Sequence, residues 1–79
     1  MEVRVKLFAT LRDRFPELGI GEAMKVEMPK GATVGDLVSK LGLPPEEVKL
    51  VYVNGRLREW DHALSEGDEV GIFPPVGGG

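Results

Sequence analysis

Between Thr33 and Gly42 the chain carries every signal a helix needs: a start, an apolar stripe and a stop. Thr33 followed three residues later by Asp36 resembles a capping box, with Asp in place of the usual Glu or Gln, each side chain able to accept from an otherwise orphan backbone N–H. Val34, Leu37, Val38 and Leu41 fall at i, i+3, i+4 and i+7, and Gly42 is placed to end the helix as a left-handed cap. Burying those four side chains is worth roughly 6–12 kcal/mol before ordering entropy is subtracted. This is therefore the main core helix, and the rest of the 79-residue chain must supply the surface that covers it. A chain this short buries only about 60–65% of the surface its unfolded form exposes, which leaves room for one domain with a simple core. It contains no cysteine, so packing alone, without disulfides or thiolate metal ligands, must hold it.

The covering surface reads as strands. From Glu2 to Leu7 polar and apolar residues alternate, with Val3, Val5 and Leu7 on one face. Phe8 to Phe15 loses that period and places Phe8, Leu11 and Phe15 at i, i+3 and i+7, the spacing of a short helix that Pro16 ends. Gly19 and Gly21 loosen the chain, and Met24, Val26 and Met28 alternate with Lys25 and Glu27 as a second strand. Pro44-Pro45-Glu46-Glu47 is a connector. Val48 to Val53 is rich in β-branched and aromatic residues and runs into Asn54-Gly55, the strongest two-residue hairpin signal, with Arg56 to Arg58 as the return strand. Glu59 to Asp68 is a loop that holds Trp60 and closes on the turn Ser65-Glu66-Gly67-Asp68, and Glu69 to Phe73 is the last strand. Pro74-Pro75 forbids helix and favours extended backbone, so the final residues are expected to project from the fold.

Charge excludes some functions. The formal net charge of -3 gives no basic field for nucleic acid, and the ten Lys and Arg residues are scattered. The opening Met1-Glu2-Val3-Arg4-Val5 is a strand pattern, not a signal peptide, and the apolar runs are too short to span a membrane. The absence of cysteine is compatible with a reducing cytosol, and a cytoplasmic location is the expectation.

The order strand, short helix, strand, main helix, strand, hairpin, strand describes an α+β fold in which a mixed sheet grips one helix. In that frame Leu7-Phe8-Ala9-Thr10-Leu11-Arg12, Val53-Asn54-Gly55, Glu66-Gly67-Asp68-Glu69-Val70 and Phe73-Pro74-Pro75-Val76-Gly77-Gly78-Gly79 resemble the MoaD/ThiS class of ubiquitin-like sulfur carriers, above all the small subunit of molybdopterin synthases. The resemblance covers essentially the whole chain, and its most specific part is a buried strand running through Phe-Pro-Pro-Val into a terminal diglycine. It implies a β-grasp domain over residues 1–75, with about five strands and an extra short helix between the first two, followed by a flexible glycine tail over residues 76–79.

The tail suits acyl chemistry. A carboxylate is a poor electrophile, so an acyl carrier needs its terminus adenylated and then attacked by a sulfur donor inside a partner's active site. Gly77, Gly78 and Gly79 lack Cβ atoms and can thread a narrow channel against a nucleotide phosphate. Five extended residues from Pro75 to Gly79 span roughly 16–18 Å, enough to reach a buried site from a docking surface. The resemblance implies the rest of the cycle: an ATP-dependent, ubiquitin-activating-type adenylyltransferase adenylates Gly79, a persulfide donor converts it to a thiocarboxylate, and the large subunit of molybdopterin synthase uses the sulfur to build the dithiolene. The chain itself is then no enzyme, holds no cofactor stably, and contributes the carried group and docking surfaces. Two alternatives share the fold and nearly the tail: a carrier for thiamin or another sulfur pathway, and a protein modifier conjugated through Gly79. The short helix after the first strand favours the molybdopterin type over the thiamin type, which joins those strands by a tighter hairpin. A frayed end or an expression scar is the plain alternative for three terminal glycines, but neither is expected to follow a Pro-Pro-interrupted strand. Relatives often carry Ala or Ser where this chain has Gly77.

Other residues divide into docking candidates and bystanders. Phe73 has the opposite strand parity to Val70 and Ile72, so it faces outward beside the tail exit, and Pro74, Pro75 and Val76 continue from it. The resemblance adds Leu57 to the same apolar patch and places Arg12 at a basic position near the partner's surface, although a solvated helix arginine is the simpler description. His62 is the only histidine and offers no metal site or nucleophilic dyad. Glu46-Glu47 and Glu66, Asp68 and Glu69 read as solvated charge or an acidic face, and Trp60 as a packing residue under its loop.

Overall fold

The computed structural model describes residues 1–75 of the chain; Val76, Gly77, Gly78 and Gly79 lie outside the described residues. Helix α1 spans Val34–Lys40 and begins as its sequence requires: the Asp36 N–H donates to Thr33 Oγ1 at 3.2 Å and the Thr33 N–H donates to Asp36 Oδ2 at 2.9 Å. Its other end closes on Gly42, whose φ of +72° is open to glycine at little cost. There the Gly42 N–H donates to Ser39 O and the Leu43 N–H to Val38 O, the paired bonds of a Schellman cap, and Leu43 is buried. Val34, Leu37 and Val38 are fully buried, whereas Leu41 is only partly so.

Strands β1 (Glu2–Leu7), β2 (Met24–Glu27), β3 (Leu50–Val53), β4 (Arg56–Leu57) and β5 (Glu69–Phe73) form, among the described residues, one sheet in the order β2-β1-β5-β3-β4. The β1/β5 pair is parallel and the other neighbours are antiparallel. The first and last strands thus lie side by side at the centre. The inner face carries Val3, Val5 and Leu7 of β1, Val51 and Val53 of β3, and Val70 and Ile72 of β5, all buried and packed with α1 in one core. This is the expected β-grasp arrangement, a mixed five-stranded sheet gripping one helix.

The short helix expected between the first two strands is present, with 3₁₀ winding and narrower bounds than Phe8 to Phe15. A 3₁₀ segment covers Ala9–Arg14, and Phe8 stays extended at φ −116° and ψ 150° because its N–H still pairs with Ile72 O at 3.2 Å. Strand parity therefore governs Phe8 and turns it away from Leu11, which is fully buried. The third strand starts at Leu50, not Val48, since Pro45–Glu47 winds into a 3₁₀ turn that Val48 closes. The return strand ends at Leu57, although the Arg58 N–H still donates to Val51 O at 2.9 Å.

The long loop straps the start of α1. Trp60 O accepts the Gly35 N–H at 2.9 Å and His62 O accepts the Val34 N–H at 3.0 Å, so two orphan donors of the helix are met from a distant segment. Gly35 faces Trp60 closely, and Trp60 is 42% exposed instead of packed under its loop. His62, expected at the surface, is half-buried.

Candidate functional site

Cross-strand partners point to one side of a sheet, and the register builds the face turned away from α1. Leu50 sits opposite Phe73, Tyr52 lies opposite both Gly71 and Leu57, and Lys6 opposite Gly71. Phe8 extends β1 by one residue and reaches the same face. Its ring stacks on Phe73 with centroids 4.1 Å apart and planes 4° from parallel, and Tyr52 meets Phe73 edge-on at 5.6 Å and 79°.

These rings wall a groove of about 640 Å³. Gly71 is its floor: a Cβ there would lie 3.3 Å from Phe8 Cε2 and 3.6 Å from Phe73 Cε1. Arg4 and Lys6 edge the groove along β1, with Glu69 opposite Arg4 and Lys25 across from it on β2. An apolar trench with basic side chains along one edge can seat a partner's apolar side chains and pair with acidic groups around them. The charge beside the trench is thus mostly basic.

Of the docking candidates, Phe73 faces outward but is half-covered by the Phe8 stack, and Leu57 is 54% exposed on the same face. Pro74 is half-buried and Pro75 exposed, where the chain leaves the central strand β5. Arg12 is half-buried on the 3₁₀ segment and does not line the groove. The catalytic and tail candidates Gly77, Gly78 and Gly79, with Val76, lie outside the described residues.

Asp68 corrects the expectation of solvated charge. It is buried, accepting from Asn54 Nδ2 at 2.9 Å and from the Ser65 N–H at 2.8 Å. Glu47 is taken up by Arg14 at 2.8 Å, and Glu66 accepts the Glu2 N–H. Among the described residues no cluster of three His, Cys, Asp or Glu can hold a metal ion, and no helix is long and apolar enough to cross a membrane.

Sequence reasoning missed Phe8, Leu50, Tyr52 and Gly71. Parity was the available signal: each sits on the opposite phase to a buried neighbour, namely Leu7, Val51, Val53 and Ile72. What parity could not give was the parallel pairing of β1 with β5 that sets Phe8 on Phe73.

Known proteins share this architecture and sequence. Residues 5–79 match the ThiS family. The molybdopterin synthase sulfur carrier subunit of Escherichia coli (strain K12) is 57% identical over 30 residues, which is 38% of this chain and 37% of that protein's length. A Pyrococcus furiosus structure assigned as molybdopterin converting factor, subunit 1, is 33% identical with a TM-score of 0.76, covering 95% of this chain and 98% of that one. The small archaeal modifier protein 1 of Haloferax volcanii is 27% identical with a TM-score of 0.75, again covering 95% and 98%.

Proposed function

The chain belongs to the ThiS family, the class its strand order and tail resemble, and on that premise we propose that it is the small, sulfur-carrying subunit of a molybdopterin synthase. Gly79 is the working residue. An ATP-dependent adenylyltransferase of the ubiquitin-activating type adenylates its carboxylate, and the persulfide donor's outer sulfur displaces AMP to form an acyl disulfide. A second thiol on the partner side reduces that S–S bond and leaves as a disulfide, and the released thiocarboxylate enters the large subunit to build the dithiolene. The catalytic side chains belong to those partners, and this chain supplies the cargo and the surface that positions it. The names of the Escherichia coli relative and the Pyrococcus furiosus structure support this pathway.

The observation that carries the reading is the place of Phe73. The central strand β5 ends there, in contact with Phe8 and Tyr52, and Pro74-Pro75 directs the chain onward from the groove's edge. A partner seated on the aromatic wall therefore lies where the remaining four residues begin. Docking and delivery are one geometry.

Purification of the protein from its native cells, followed by intact-mass measurement, tests this. The expected result is replacement of one carboxyl oxygen by sulfur and copurification of a molybdopterin synthase large subunit. Deleting Gly78 and Gly79 should abolish the sulfur without changing thermal unfolding. A tail-deleted chain that still acquires sulfur would sink the proposal. The likeness to small archaeal modifier protein 1 favours a second reading, conjugation through Gly79, for which the same mass measurement would show branched lysine conjugates.

A further inference from the structure

The turn between β3 and β4 holds its asparagine at both ends. Asn54 Oδ1 accepts the Glu69 N–H at 3.0 Å, and Asn54 Nδ2 donates to Asp68 Oδ1 at 2.9 Å. The second oxygen of Asp68 is occupied by the Ser65 N–H at 2.8 Å, and the Asn54 N–H donates to Glu69 O at 2.7 Å. A two-residue hairpin needs only the positive φ angles found here, +52° at Asn54 and +82° at Gly55. The side-chain clamp is additional. Its chemical meaning lies in the following residue: with no Cβ on Gly55, the Gly55 nitrogen can approach Asn54 Cγ without hindrance whenever the carboxamide is free to turn.

We propose that Asn54 is a latent deamidation site that Asp68 and Glu69 hold shut, so that chemical ageing of this turn follows local opening of the β3–β4 hairpin. In the open state the Gly55 backbone nitrogen gives up its proton and attacks Asn54 Cγ. A new C–N bond closes a five-membered succinimide, the Cγ–Nδ2 bond breaks, and the nitrogen leaves with the proton as ammonia. Water then adds to one of the two imide carbonyls. Opening of one C–N bond yields aspartate at this position, and opening of the other yields isoaspartate with the chain routed through the side-chain carbon. Water is the only co-reactant. In the closed state Cγ cannot swing toward the Gly55 nitrogen without losing its bonds to Asp68 and Glu69.

Either product damages the clamp. Aspartate removes the donor to Asp68 and sets two carboxylates against each other, and isoaspartate lengthens a turn with no slack. Gly55 borders the outer-face groove, so aged chains should dock less well. That consequence alone rests on the sulfur-carrier reading; the chemistry at Asn54 does not.

The test follows purified wild-type protein at mildly alkaline pH by peptide mapping and isoaspartate assay, in native buffer, in graded sub-denaturing urea and in fully denaturing urea. The expected rate is slow in native buffer, rises with urea below the unfolding midpoint, and is fastest in the denatured chain. Asp68→Ala, checked for folding by circular dichroism, should deamidate at Asn54 roughly tenfold faster or more, because a charge-assisted bond to the carboxamide is gone. A native rate equal to the denatured rate, a rate flat through sub-denaturing urea, or a folded Asp68→Ala indistinguishable from wild type overturns the proposal. If Asp68→Ala does not fold, the wild-type urea series decides alone.

Discussion

Gly71 shapes the outer face by what it lacks. It sits in a cross-strand row between Lys6 and Tyr52, and a side chain there would intrude on the trench that Phe8 and Phe73 border. The 3.3 Å approach to Phe8 Cε2 means that Gly71→Ala must shift the Phe8 ring by a few tenths of an ångström and add a methyl group to the groove floor. Phe8 is only half-buried and can move outward, so the core should hold. The expected outcome is a melting temperature close to wild type and an affinity for the proposed large-subunit partner reduced roughly tenfold, read by calorimetric titration. Unchanged affinity would place docking elsewhere. At this scale the outward aim of Phe73 was legible from parity alone. Asp68 was not, because a carboxylate in an acidic run gives no sign in sequence that Asn54 and the Ser65 N–H await it.

Elements were legible where their signals are local. The start of α1 is written in Thr33 and Asp36, whose bonds close over three residues. Thr33→Ala and Asp36→Ala should each cost about 1 kcal/mol in urea unfolding. Because each side chain serves the other's N–H, the double variant should cost less than their sum, a coupling that a double-mutant cycle measures. Full additivity would show that the reciprocal box is not energetically joined. The segment after β1 was read less well for a related reason. Its i, i+3, i+7 spacing fits a helix, but the Phe8 N–H finds Ile72 O, a partner 64 positions away, and the strand continues one residue further. Six residues before Pro16 then settle for 3₁₀ geometry.

At the scale of the whole molecule the sheet separates the face that holds the fold from the face proposed to dock a partner. Its inner face, with Leu37 of α1 fully buried against it, holds the fold; its outer face presents the aromatic groove. Leu37→Ala should lose about 2–5 kcal/mol of stability, while its folded fraction keeps the wild-type affinity for the proposed large-subunit partner. Phe73→Asp should do the reverse, leaving chemical unfolding close to wild type and weakening binding by more than tenfold, or at least about 1.4 kcal/mol. Unfolding of the Phe73 variant would assign that ring to the core.

The sequence by itself determined the local and periodic features: the capped helix, the Asn-Gly turn, the alternating strands and the glycine run that follows Pro74-Pro75. Each depends on residues a few positions apart, where backbone geometry leaves few choices. Only the tertiary structure decided that β1 and β5 run parallel at the sheet's centre, that Phe8 stacks on Phe73, that Gly71 leaves open the groove beside these rings, and that Asp68 is buried as a clamp. Strand order is set by the total burial that one sheet can achieve around one helix, a sum over the whole chain that no short stretch of it contains.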